Sequence, residues 1–277
     1  MNGQQQGPSV APESVSSRID TSVAHSARRY DYWLGGKDNF AADRESGDAI
    51  AAAFPSIRTS VLENRRFVHR AVTFLTREAG IRQFLDIGTG IPTSPNVHEV
   101  AQRIDPAARV AYVDNDPIVL AHARALLTSS TEGATAYVDA DLRTPERILN
   151  DPAVRRTLDF AEPVALMLLA IVHFMPDDDN PYGIVARLLD ALPSGSHLVM
   201  SHATSDELAP ELAADIAAGR HGPGRLRTRA EFARFFDGLE LVPPGIVSVA
   251  EWRAENEPQP RPSAADTAVY GAIGKLA

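Results

Sequence analysis

The chain has no cysteine among its 277 residues. That excludes a disulfide framework, a thiolate nucleophile, a zinc–thiolate site and an iron–sulfur cluster. An excess of basic residues is missing too. Lys and Arg number 27 against 36 Asp and Glu, a formal net charge of −9. Phosphate binding needs a basic face, so this balance argues against a general nucleic-acid scaffold. The one local basic stretch, RHGPGRLR at 220–227, reads as a solvated loop. No apolar run approaches the roughly 20 residues of a membrane span. The opening MNGQQQGPSVAPESVSS lacks the basic start and apolar stretch of a secretory leader, so a soluble, cytoplasmic protein is the expectation. No G-x-S-x-G elbow, phosphate loop or zincin H-E-x-x-H occurs. Asp177, Asp178, Asp179 and Asn180 are followed by Pro181 and Tyr182, not by calcium-loop residues, and read as a helix cap rather than a metal site.

Residues 1–17 are rich in Gln, Ser, Gly and Pro and read as a disordered tail. Residues 18–80 read as a helical extension. They hold RRYDYWLGGKDNF, a short helix over ADRESGDAIAAAF, and a strong helix over 60–79, capped by Thr59 or Ser60 and stopped at Gly80. Val61, Val68, Val72 and Leu75 lie on its apolar face, while Arg65, Arg66, Arg70 and Arg77 fall mostly on its surface.

From Gln83 onward, short apolar runs alternate with helical patterns: QFLDIG, RVAYVD, ATAYVD, the first part of PVALMLLAIVHF, and SHLVMSHA. Such alternation implies βαβ units and a mostly parallel sheet covered on both faces. LELVPPGIVSV and TAVYGAIGKL then read as two closing antiparallel strands. The polar, Pro-rich EWRAENEPQPRPSAAD between them reads as a surface excursion. Residues 81–277 with 18–80 make one α/β domain.

The informative residues stand where strands end. Phe84-Leu-Asp86-Ile-Gly88-Thr-Gly90-Ile-Pro92 runs from a buried strand into a glycine turn, which lets a ligand approach backbone and a helix start. The second strand ends in Asp114-Asn115-Asp116, where a carboxylate meets ribose hydroxyls. The third ends in Asp139-Ala140-Asp141-Leu142, a carboxylate beside an apolar wall, which suits adenine. Each acid alone is more often a cap; three successive acidic tips point to a nucleoside.

FLDIGTGIP, YVDND and VDADL resemble the ligand-binding motifs of class I S-adenosylmethionine-dependent methyltransferases. RRYDYWLGGKDNFAADR, ENRRFVHRA and VAYVDNDPIVLAHARALL further resemble a bacterial family of largely uncharacterised S-adenosyl methyltransferases, over about residues 18–275. The resemblance implies a Rossmann-like fold with a terminal antiparallel β-hairpin, and S-adenosylmethionine as cofactor, with S-adenosylhomocysteine as product. Asp86, Gly88, Thr89, Gly90 and Ile91 would form the methionine turn. Asp114 would take the ribose, Asn115 would lie against adenine, and Asp141 and Leu142 would bind it. Leu169, Ala170 and Ile171 would face the sulfonium and the acceptor. Ile91-Pro92-Thr93 departs from relatives that place a small residue after the second glycine.

YDYWLGGKDNF is the candidate lid. Tyr30, Tyr32 and Trp33 would offer aromatic faces to a sulfonium, worth about 0.5–2 kcal/mol each, with Lys37 and Asn39 beside them. The same aromatics serve equally to dock the extension on the core. His173 and Tyr32 are the candidate catalytic residues, His173 as a proton acceptor. His98 and His197 read as structural. A small-molecule acceptor is expected. Two alternatives stand beside this reading: a nicotinamide oxidoreductase, weakened by Thr93 at the third glycine position, and a non-catalytic nucleoside-binding module.

Overall fold

The computed structural model describes residues 20–277 apart from Leu127, His221 and Pro223. The tail read as disordered and two residues of the basic stretch at 220–227 therefore lie outside the described residues. Helices α1 (Ser26–Trp33), α2 (Ala41–Ala53) and α3 (Ile57–Arg77) come first. An alternating series follows: β1 (Gln83–Ile87), α4 (Val97–Ile104), β2 (Arg109–Asp114), α5 (Pro117–Leu126), β3 (Ala134–Asp139), α6 (Pro145–Leu149), α7 (Pro152–Thr157), β4 (Ala165–Leu169), α8 (Pro181–Leu189) and β5 (His197–Ala203). The chain closes with α9 (Pro210–Ala217), α10 (Arg229–Ala233), β6 (Glu240–Leu241), β7 (Val247–Ser248), α11 (Ala264–Thr267) and β8 (Val269–Lys275).

The strands form one sheet in the order β3-β2-β1-β4-β5-β8-β6, with β7 also paired to β8. β1 to β5 are parallel; β8 runs antiparallel to β5, β6 and β7. Parallel strands buried on both faces read as continuous apolar runs, and every residue of β1 is buried. Alternation sends Leu85 and Ile87 to the face covered by α6 to α8, and Phe84 to the face under α3 and α4. Asp86 shares Phe84's side, so it meets α3 at the upper rim. The order reverses beside β1, where β2 and β4 flank it. Ligands of open α/β sheets bind at such a switch point, outside the carboxyl ends of the strands.

Several expectations need correction. α3 starts at Ile57, not Ser60, because Ser60 is buried inside it and donates to the Thr267 carbonyl. Arg70 is not a surface residue; it donates to the Trp252 and Val249 carbonyls. The segment over LELVPPGIVSV is two short strands, since Pro243 and Pro244 offer no N–H to a ladder. The linker after it is not wholly superficial. Trp252 is fully buried, edge-on to Phe67 at 5.4 Å between ring centres. Asn180 does cap α8, its side chain accepting from Gly183 N–H, with Pro181 first in the helix. Among the described residues no helix is long and apolar enough to cross a membrane.

Candidate active site

The carboxyl ends of β1 to β4 open into one cavity of about 300 Å³, within the range of small-molecule sites. Gly88 and Gly90 take φ of +75° and +68°, which a side chain disfavours. Gly88 is fixed twice over. A Cβ there would stand 2.6 Å from Ile171 Cγ1, while its N–H donates to the Val113 carbonyl. Thr89 Oγ1 donates to Asp86 Oδ2 at 3.1 Å. Burial pushes the Asp86 carboxyl up to about 6, against the Thr89 bond and the charge of Arg65.

Asp114 braces the turn. Its Oδ2 accepts from Gly90 N–H and its Oδ1 from Asp116 N–H, both at 2.9 Å. Burial raises its pKa despite these bonds. Asn115 Nδ2 donates to Asp141 Oδ2 at 2.9 Å, which joins the tips of β2 and β3. Partial burial opposes ionisation of Asp141, but bonds from Arg143 N–H and Asn115 outweigh it and hold its pKa low. Ile91 and Leu142 add apolar surface to the same lining.

After β4 the chain turns sharply. Ala170 has φ +52°, and its N–H donates to Ser201 at both the carbonyl and Oγ. Leu169, Ala170 and Ile171 line the cavity, and His173 follows in a 3₁₀ turn. Burial, then the charges of Arg227 and Arg29, pushes His173 down to about 4. Its Nδ1 accepts from Ala203 N–H at 3.4 Å. A backbone N–H can only donate, so the neutral ring carries its proton on Nε2. The neutral ring lines the cavity, where the sequence reading put a proton acceptor. His202 is also neutral, with Nδ1 to the Ala203 carbonyl and Nε2 accepting from Arg227. His98 bonds Tyr112.

The extension roofs this cavity. Tyr30 lines it, donating to the Val61 carbonyl and accepting from Asn64. Trp33 lines it and donates to the Gly47 carbonyl. Tyr32 does not reach it. Two residues advance about 200° around a helix, so Tyr32 faces outward to Asp48 at 2.7 Å, under Arg58. Lys37 is exposed on the loop beyond. Asn39 is buried but braces that loop through the Asp31 carboxylate rather than lining the cavity. The roof is pinned to the tip of β2: Asp116 Oδ2 lies 3.0 Å from His25 Nδ1 and 3.5 Å from Arg28 Nε.

Sequence reading missed other lining residues. Arg65 lies along the cavity and donates to the Thr93 and Pro95 carbonyls, not on the outer surface. Arg29, Asn64, Leu212, Ile216 and Leu226 also line it. Only the doubled arginine of RRYDYW gave a signal, as two charges beside aromatics. The acids at 177–179 are engaged by arginines: Asp177 with Arg225 and Arg227, Asp179 with Arg143. Among the described residues no group of three His, Asp or Glu is placed to hold a metal.

A family model described as S-adenosyl methyltransferase matches residues 12–277. Among solved structures, a DUF574 family protein from Streptomyces avermitilis MA-4680 is 53% identical with a TM-score of 0.88, covering 94% of this chain and 100% of that one. A candidate methyltransferase from Thermobifida fusca YX is 44% identical with a TM-score of 0.85, covering 93% of this chain and 97% of that one. Magnesium protoporphyrin IX methyltransferase from Synechocystis PCC 6803, with bound S-adenosylhomocysteine, shares the fold at 13% identity and a TM-score of 0.53, over 90% of this chain and 93% of that one. No curated protein matches.

Proposed function

The chain belongs to the S-adenosyl methyltransferase family, and from that premise we propose that it transfers a methyl group to a small molecule enclosed beneath its N-terminal helices. It is an S-adenosylmethionine-dependent methyltransferase with a Rossmann-like class I fold. The nicotinamide reading falls with that membership. The observation that carries the proposal is the convergence of the glycine turn and the tips of β2, β3 and β4 on one roofed cavity.

The residues present fit the cofactor. Asp86, Thr89 and the backbone of Gly88 and Gly90 would hold the methionine part, since the turn offers close backbone approach beside a carboxylate. Asp114 has accepting capacity beyond its two amide bonds and would take the ribose hydroxyls. Asp141, steadied by Asn115 and Arg143, would meet the adenine amino group, with Leu142 and Ile91 against the ring.

When bound, S-adenosylmethionine supplies a methyl group on a positively charged sulfur that leaves readily. The chain's task is then to align the acceptor and exclude water. Trp33 and Tyr30 in the roof, and Ile171 at the floor, serve that exclusion. We take residues 20–40 as the lid, pinned through Arg28 and His25 to Asp116. A cavity of about 300 Å³ roofed by the N-terminal helices suits a small acceptor better than a polymer, and the acidic chain balance supports the same choice.

Incubation with methyl-labelled S-adenosylmethionine and separated cell fractions tests this. Label should enter the small-molecule fraction. Label confined to nucleic acid or protein would overturn the small-acceptor proposal.

A further inference from the structure

Two opposite charges flank the glycine turn without pairing. Asp86 stands before the turn and spends Oδ2 on Thr89 Oγ1 at 3.1 Å, and no described residue bonds its Oδ1. Arg65 of α3 is tied to the chain beyond the turn, its Nη2 donating to the Thr93 and Pro95 carbonyls at 2.6 Å and 3.1 Å. No described residue bonds its Nε or Nη1, and it makes no ion pair among the described residues. Both residues line the cavity.

The two are near enough to act on each other. Burial raises the Asp86 carboxyl first of all, and the Thr89 bond and then the Arg65 charge oppose it. Tyr112 feels both as well: after burial, Asp86 raises its pKa further and Arg65 lowers it. The other charge acting on Asp86 is a second acid, Asp114. A lone cation brought to the turn would leave Arg65 unanswered, and a lone anion would face two carboxylates. A zwitterion answers both charges at once. The methionine end of S-adenosylmethionine is such a group, an ammonium and a carboxylate on one carbon. Asp86 has an accepting oxygen for the ammonium, and the guanidinium has donors left for the carboxylate.

We infer that Arg65 holds the α-carboxylate of the cofactor while Asp86 holds its α-ammonium, and that Arg65 thereby makes the site select an intact amino-acid end. The inference rests on the methyltransferase reading of the same cavity, which gives the methionine end to Asp86 and the glycine turn and leaves its carboxylate without a cation. The selecting residue belongs to the N-terminal helices rather than to a strand tip. Its neighbour Asn64 donates to the hydroxyl of Tyr30 in the roof at 3.0 Å. The helix that meets the carboxylate is thus the one on which the roof rests. A bound zwitterion leaves the net charge at the turn unchanged and gives each of the two charges a partner.

Calorimetry with two ligands tests this: S-adenosylhomocysteine, and its decarboxylated analogue, in which hydrogen replaces the carboxylate and the ammonium stays. Wild type should bind S-adenosylhomocysteine about tenfold or more tightly than the analogue, as a charge-assisted contact requires. Arg65→Met should bring the two affinities to within about twofold of each other, and Arg65→Lys should keep part of the preference. Each protein is compared with itself across the two ligands. A general disturbance from losing the Thr93 and Pro95 bonds would weaken both and leave their ratio standing. Equal binding of the two ligands by wild type, or an undiminished preference in folded Arg65→Met, would each overturn the inference. Should Arg65→Met not fold, the wild-type ratio and Arg65→Lys decide. Failure of S-adenosylhomocysteine to bind the wild-type chain would instead refute the reading beneath it.

Discussion

Gly88 and Ile171 compete for one volume: a side-chain carbon on Gly88 would lie 2.6 Å from Ile171 Cγ1. The first residue of the glycine turn after β1 is thus packed against the second residue after β4, at the switch point of the sheet. The glycine turn and the cavity wall after β4 are shaped by the same contact.

Gly88→Ala should therefore cost stability in two ways. The positive φ adds roughly 1–3 kcal/mol of backbone strain, and overpacking against Ile171 adds a similar amount, about 1–3 kcal/mol. Ile171→Ala in the same chain should relieve the second part only. Chemical denaturation of the double-mutant cycle reads the coupling. Additive single effects would mean that the two residues do not share that space.

The raised carboxyl of Asp86 makes stability depend on pH. Its folded value of about 6 exceeds the ordinary value of 3.8, through burial first. The folded state therefore holds the extra proton between those two values. Stability from Asp86 is fully present below about pH 4 and is lost as pH rises through 6. Asp86→Asn should stabilise the unliganded protein above pH 7, by up to about 3 kcal/mol, and the difference should vanish below about pH 4. It should also weaken binding of S-adenosylhomocysteine. A variant less stable than wild type at pH 8 would contradict this account.

Arg28→Ala should loosen the roof without melting the core. Arg28 lies between the buried carboxylates Asp43 and Asp116. Removing one partner of a buried ion pair costs about 3–5 kcal/mol, which local undocking of α1 can limit. Hydrogen exchange should speed up over residues 26–33 and stay unchanged in β1, β4 and β5. Unaltered protection of α1 would show that the pairing does not hold the roof.

Much of this was readable where local chemistry and long-range structure agree. Asp86, Asp114 and Asp141 were legible because each ends an apolar run of strand length and a glycine or polar turn follows. Asn180 and Pro181 announced their cap by residue type alone. Trp252 was not legible, because its partners Phe67 and Phe74 lie far away in sequence and its neighbours are polar. Arg65 and Arg29 were hidden for another reason. Helical periodicity separates core from surface, but an internal cavity is a third environment, and it accepts a charged residue that the pattern assigns to water. The break within LELVPPGIVSV was masked because the Pro243–Pro244 pair sits inside an apolar run of strand-like composition. Tyr32 shared a motif with Tyr30 and Trp33 but not a helix face.

The central claim is that the β2 tip grips a nucleoside. Calorimetric titration of S-adenosylhomocysteine into wild type and into folded Asp114→Ala tests it most directly. The account predicts tight binding to wild type and a loss of about 1–3 kcal/mol in the variant, from charge-assisted hydrogen bonds to the ribose. Equal affinity in the two proteins would contradict it.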